Sequence, residues 1–122
     1  MRKVASVTRL VEIRSYNLKP GTRAEFHRLV TERAMPLLEQ VRMDVVAFGA
    51  SPHDDSSYYL IRAFDDLAHR DRSEAAFYGG PLWREGPREE ILALIENYAE
   101  FVIELDDAVI DRLRARPAIP RS

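Results

Sequence analysis

From residue 9 the chain alternates between two faces. Leu10, Glu12, Arg14 and Tyr16 fall on one, Val11, Ile13 and Ser15 on the other, the two-residue period of a strand over residues 9–18. "KPG" at 19–21 marks a turn. From 22 to about 42, Phe26, Leu29, Val30, Arg33, Ala34 and Leu37 recur at helical spacing and leave one face mostly apolar. Thr22 and Glu25 have the spacing of a capping box. Pro36 predicts a kink, because proline lacks the amide donor and crowds the preceding turn.

"DVVAFGAS" (44–51) and "SYYLIRAF" (57–64) read as two strands joined by the turn "PHDDS" (52–56), hence a hairpin. Asp65 or Asp66 caps a helix over "LAHRDRSEAAFY", which Gly79, Gly80 and Pro81 end. Helix restarts at Pro87, with Glu89 and Glu90 in its first turn, and is expected to continue through "EILALIENY" to Tyr98. "AEFVIEL" (99–105) alternates again and reads as the last strand. "DDAVIDRLRAR" is a short helix whose Val109, Ile110 and Leu113 dock on the body, before the terminal "PAIPRS". The expected organisation is a lead-in (1–8), one domain (9–105) and a C-terminal tail (106–122).

Strand, helix, strand, strand, helix, strand is the ferredoxin-like βαββαβ order of an α+β fold, with helices over one face of an antiparallel sheet. The opposite face still carries apolar side chains, so a homodimer with the two sheets face to face is expected. The 122-residue length suits a single domain able to sustain a core. Without cysteine there is neither disulfide nor thiolate chemistry. A net charge of −2 with interleaved signs argues against nucleic acid as partner. The N-terminal stretch has no long apolar run, so neither a signal peptide nor a membrane span is expected, and a cytoplasmic location follows.

Three separated segments, "VEIRSYNLKPG", "YYLIRAF" and "AFYGGPLWREGPREEILALIENY", together resemble the NIPSNAP family over about residues 9–103. That resemblance implies a dimeric α+β barrel. Related barrel families include cofactor-free monooxygenases, polyketide cyclases, haem-degrading enzymes, dehydratases and stress proteins, so fold analogy alone selects no reaction.

The strand faces suggest where chemistry would sit. If the face of Glu12, Arg14 and Tyr16 coincides with that of Tyr58, Leu60, Arg62 and Phe64, a glutamate, two arginines and two tyrosines converge. That is costly unless they pair or meet a ligand. In one reading Arg14 or Arg62 holds a carboxylate or enolate and a tyrosine donates a proton. In the other, Glu12 pairs with arginine to tie strands or protomers together. His27 on the first helix would either face the pocket as a base, as the histidine of a histidine–tyrosine pair does in related barrel cyclases, or lie at the surface, the commoner case. His53 belongs to the hairpin turn, and His69 to a helix whose "RDRSE" run reads as a solvated face. No metal-ligand spacing joins the histidines, and no metal or organic cofactor is expected.

"FYGGPLWREGP" (77–87) puts three aromatics around a backbone break. Phe77 plugs the corner; Tyr78 and Trp83 serve both as corner and as the lip of a pocket. The resulting expectation is a homodimer with a small-molecule pocket: catalytic candidates Tyr16, His27 and Tyr58, and substrate-binding candidates Glu12, Arg14, Arg62, Tyr78 and Trp83. The chemistry would be cofactor-independent acid–base work, as in a cyclase, isomerase, dehydratase or oxygenase of bacterial secondary metabolism. The alternative is a non-catalytic binding or assembly module whose polar strand residues stabilise the dimer.

Overall fold

The computed structural model describes residues 7–114; most of the expected lead-in and the end of the tail lie outside the described residues. Four strands, β1 (Thr8–Leu18), β2 (Asp44–Ala50), β3 (Ser57–Phe64) and β4 (Ile95–Asp106), form one antiparallel sheet in the order β2-β3-β1-β4. This is the ferredoxin-like α+β arrangement that the order of elements predicts. The two central strands, β1 and β3, are those whose polar faces the sequence brings into question.

β1 shows why the alternation matters. Leu10, Glu12, Arg14, Tyr16 and Leu18 are buried beneath the helices, whereas Arg9, Ile13 and Asn17 are only partly covered and Ser15 is exposed. Against the helix-side face pack Phe26, Leu29, Leu38, Phe77, Trp83 and Ile91, together with Tyr58, Leu60 and Phe64 of β3. Apolar burial at this face supplies the main driving force for the fold. A second, smaller cluster of Val11, Val46, Ala63 and Ile110 lies on the opposite face. There α6 (Asp107–Leu113) lays Ile110 against the sheet, while Val109 and Leu113, expected to dock with it, remain exposed. The rest of that face stays open. Phe101 is 56% exposed and Ile103 37%.

The first long helix is built in three pieces. α1 (Arg23–Leu29) runs into a π-helical turn, Val30–Ala34, and then α2 (Met35–Gln40). Within the π turn the Met35 amide donates to the Val30 carbonyl, five residues back. Pro36 has no amide to donate, and its ring would crowd a carbonyl of the preceding turn. One widened turn relieves both problems, so the interruption expected at Pro36 lies just before it. The expected capping box is absent: Thr22 uses its hydroxyl to donate to the Lys19 carbonyl at 2.7 Å and caps nothing with its side chain. α2 ends with Met43 N–H on the Leu38 carbonyl and Arg42 N–H on that of Glu39, both at 2.9 Å. This Schellman pattern places Arg42 at φ 60°, where glycine is usual.

α3 (Leu67–Tyr78) begins at Asp66, whose side chain accepts from the His69 amide, and ends at the expected glycines. Two short helices follow, α4 (Pro81–Arg84) and α5 (Arg88–Leu92). Here one expectation fails. Helix does not continue to Tyr98; β4 already begins at Ile95. Pairing with the full length of β1, from Leu18↔Ile95 to Thr8↔Asp106, overrides the local helix propensity of "EEILALIE". Among the described residues no helix is long and apolar enough to cross a membrane.

Candidate functional site

Strand register creates the site. Glu12 stands opposite Arg62, and Tyr16 opposite Tyr58, on the helix-side face of β1 and β3. On the other flank of β1, Glu100 stands opposite Arg14 and Tyr98 opposite Tyr16. α3 lies above and lowers Arg70, Glu74 and Tyr78 onto them. The polar residues therefore converge, but on the face that the helices cover.

Glu12 and Arg62 are both wholly buried. Glu12 Oε1 accepts from Arg62 Nε at 3.0 Å and Nη2 at 2.6 Å, and Oε2 accepts from Arg70 Nε at 2.9 Å. Arg62 Nη1 donates to the Tyr78 hydroxyl at 2.8 Å and meets Met43 Sδ at 3.1 Å, and Nη2 also reaches Glu74 Oε2 at 3.1 Å. Every guanidinium nitrogen of Arg62 is thus engaged, and neither Glu12 nor Arg62 opens onto a cleft. Their geometry is that of a satisfied ion pair, the condition under which burial of charge is tolerated.

Arg14 differs. Its Nη2 donates to Glu74 Oε1 at 3.1 Å, and its guanidinium lies 5.1 Å from the Tyr78 ring centre and 5.5 Å from that of Tyr98, a cation held between aromatic faces. Its Nε sits 3.3 Å from Glu12 Oε1 without hydrogen-bond alignment. Among the described residues it is the only buried side-chain nitrogen or oxygen with no hydrogen-bond partner.

Arg14 also lines a cleft of about 460 Å³, with Tyr16, Glu74, Tyr78, Trp83 and Tyr98 among its walls. Behind it lies an apolar hollow of about 40 Å³, between Tyr16, Tyr58, Phe77 and Trp83. The two share Tyr16, Tyr78, Trp83 and Ile91 as a common wall. Residues 77–87 form the expected corner, and two of their aromatics also line the cleft. Phe77, Tyr78 and Trp83 pack on one another at 5.0–5.8 Å between ring centres, and Tyr78 and Trp83 also face the cleft. The two turns of this corner need glycine: a Cβ on Gly86 would lie 2.3 Å from the Leu82 carbonyl oxygen.

The electrostatics separate two carboxyl groups. Burial raises the pKa of Glu12, but the hydrogen bond with Glu74 and the charges of Arg62 and Arg14 outweigh it and hold the carboxylate down at about 2. Glu74 goes the other way. Burial, reinforced by the hydrogen bond and negative charge of Glu12, lifts it to about 7 against the pull of Arg62 and Arg14. Burial pushes Tyr16 up to about 12 and raises Tyr58 as well. One carboxyl oxygen from each of Glu12, Glu74 and Glu100 lies within 4.8 Å of the other two. Arg14, Arg62 and Arg70 all pair with this trio, so its charge is met by guanidinium.

His27 is exposed and does not line the Arg14 cleft. Its Nδ1 lies 2.6 Å from the Tyr58 hydroxyl, so it is at once a surface residue and half of a histidine–tyrosine pair. It borders a broad depression beside Thr31, Met35 and Phe48. His53 meets the Ser51 hydroxyl at 2.6 Å in the hairpin turn, and His69 Nδ1 accepts from the Asp65 amide at 2.9 Å.

The "RDRSE" run is not a solvated face throughout, and this corrects the sequence reading. Arg70 and Glu74 turn inward, 18% and 13% exposed at the side chain. The signal was their spacing: Arg70, Glu74 and Phe77 fall at i, i+4 and i+7 on the face that Phe77 anchors. Charge content hid a stripe that periodicity would have found.

A family model described as NIPSNAP matches residues 11–105. No curated protein matches the chain at a significant level. Solved structures similar to it include a NIPSNAP family protein with unknown function from Agrobacterium tumefaciens, 22% identical, covering 80% of this chain and 88% of that one at TM-score 0.74. An uncharacterised NIPSNAP domain protein from Burkholderia xenovorans is 20% identical, with 77% and 91% covered and TM-score 0.70. A Bordetella bronchiseptica protein, provisionally named as an antibiotic biosynthesis monooxygenase, is 22% identical, with 80% and 94% covered and TM-score 0.61. At these identities the likeness is one of fold.

Proposed function

The chain belongs to the NIPSNAP family, and we propose that it is a homodimeric small-molecule-binding protein whose cleft at Arg14 carries out acid–base chemistry without an organic cofactor. The observation that carries this reading is Arg14 itself. It lines a cleft of ligand size and sits between two aromatic rings, with its Nε turned inward toward Glu12. A cation so placed suits a carboxylate or enolate oxygen. Tyr78, Trp83 and Tyr98 suit a planar, largely apolar body beside it. Cyclisation, isomerisation, dehydration, and oxygenation in which the substrate supplies the electrons all fit such a site, because each can begin with proton removal beside a carbonyl.

The open sheet face, with Phe101, Ile103, Ile13 and Ile61, supports the homodimer. The polar strand residues sit on the other face of the same sheet. This favours a role for Arg14 and Tyr16 in the cleft over the alternative, in which they hold two copies together.

Native mass spectrometry of the protein from its own host tests the proposal. The expected species is a dimer carrying a small adduct, which Arg14→Lys loses while remaining dimeric. A bare dimer in the wild type removes the pocket reading and leaves the assembly reading. A bare monomer removes both.

A further inference from the structure

Two acidic residues line the cleft, Glu74 and Glu100. Glu74 hangs from α3 with its side chain nearly buried, yet the residue forms part of the cleft wall, with Arg14 and Tyr16. Every element around it presents charge or a phenol. β1 contributes Glu12 and Arg14, β3 contributes Arg62, and β4 contributes Glu100 and Tyr98. Its own helix adds Arg70, 3.5 Å away, and Tyr78.

We infer that Glu74 is the proton-transfer residue of the cleft, acting on a carbonyl compound with an acidic C–H whose oxygen rests on Arg14. This rests on the small-molecule reading above and adds to it the residue and the substrate class.

The geometry leads to Glu74 by comparison with its neighbours. Glu12 is wholly buried, and its oxygens are taken by Arg62 and Arg70. Glu100 is tied to Arg70 at the rim. Tyr58 and His27 pair with each other away from the cleft. Glu74 lines the cleft deeper than Glu100, with Oε2 turned to Arg62 and Arg70 in the buried cluster and Oε1 turned to Arg14. Its Oε1 lies 3.1 Å from Arg14 Nη2, a span of the same order as that between a carbonyl oxygen and its α-hydrogen. A ketone can therefore lie across the two, oxygen toward the guanidinium and C–H toward the carboxylate.

The step balances without a co-reactant. Glu74 carboxylate takes the α-proton; the C–H pair becomes the C=C bond, and the carbonyl π pair moves onto oxygen. Arg14 holds the enolate so formed. Return of the proton from Glu74 to oxygen or to another carbon completes a tautomerisation. Burial and the neighbouring Glu12 raise the pKa of Glu74 to about 7, toward the range that suits a general base.

Phenylpyruvate is a suitable probe, since it combines an aromatic ring, a carboxylate and an enolisable methylene. Its exchange of methylene protons in D2O is read by NMR, and its binding by quenching of Trp83 fluorescence. Wild type is expected to accelerate exchange over buffer. Glu74→Gln should reduce that acceleration by about 100-fold or more while binding persists, and Glu74→Asp should restore part of it. In the wild type the rate should rise with pH through about 7, a readout that holds even if Glu74→Gln fails to fold. Binding with unaccelerated exchange, an undiminished rate in folded Glu74→Gln, or a rate independent of pH across neutrality would overturn the role of Glu74 and leave the pocket standing. Absence of binding would remove the pocket and this inference together.

Discussion

Glu12 and Arg62 face each other across the two central strands and form a two-pronged ion pair, 3.0 and 2.6 Å long, with no solvent exposure on either residue. Removing one partner leaves a charge in the interior with its desolvation uncompensated. Arg62→Met should destabilise the protein by about 3–5 kcal/mol in urea unfolding. Glu12→Leu combined with Arg62→Met should recover part of that loss. A single variant as stable as wild type would show that the pair matters little.

The two carboxyls predict opposite pH responses. Glu12 is held below its ordinary value of 4.5, at about 2, so its contribution is present above pH 4.5 and is lost as pH falls toward 2. Glu74 is raised from 4.5 to about 7, so the folded state holds a proton that the unfolded state releases. Its contribution is complete below pH 4.5 and is lost as pH rises through 7. Melting temperature should therefore fall between those two pH values in the wild type. In Glu74→Gln, where that group no longer titrates, the fall should be reduced.

Arg42 adopts a left-handed conformation, φ 60°, at the end of α2. Its Cβ makes that conformation costly, whereas glycine adopts it freely. Arg42→Gly should raise stability by about 0.5–1 kcal/mol, read as a higher urea midpoint with an unchanged slope.

Gly86 marks the opposite case. The Cβ of Gly86→Ala would meet the Leu82 carbonyl oxygen at 2.3 Å, against backbone that cannot simply rotate away. The variant should lose about 1–3 kcal/mol, with a shift in Trp83 fluorescence as the corner between α4 and α5 opens.

The open sheet face makes a prediction about assembly. Phe101→Glu places a charge where an apolar side chain stands 56% exposed. If the proposed dimer forms through this face, light scattering should show it weakened toward monomer by this variant, because the charge would have to be buried without a partner. Ser15→Thr, a mild change on the same face, should leave the dimer in place.

How far this was legible depended on which force set each feature. Alternation in "RLVEIRSY" and "YYLIRAF" disclosed both central strands and their polar faces, because each side chain's face follows from its position along a strand. The start of β4 was hidden, since Ile95–Tyr98 reads as helix until β1 offers a pairing partner. Arg70 and Glu74 were hidden by their charge, although their spacing with Phe77 carried the signal. The π turn before Pro36 was visible as an interruption but not in its form, because proline dictates what must be relieved and leaves the remedy to the surrounding turn. The His27–Tyr58 contact depends on how α1 crosses β3, which no local pattern encodes.

The most direct test of the cleft is the indole N–H signal of Trp83, the chain's single tryptophan. It can be followed by NMR as phenylpyruvate is added. A saturable shift of this signal, weakened in Arg14→Lys, is the predicted result. An indole signal that stays in place while phenylpyruvate perturbs other parts of the surface would contradict a ligand site between Arg14 and Trp83.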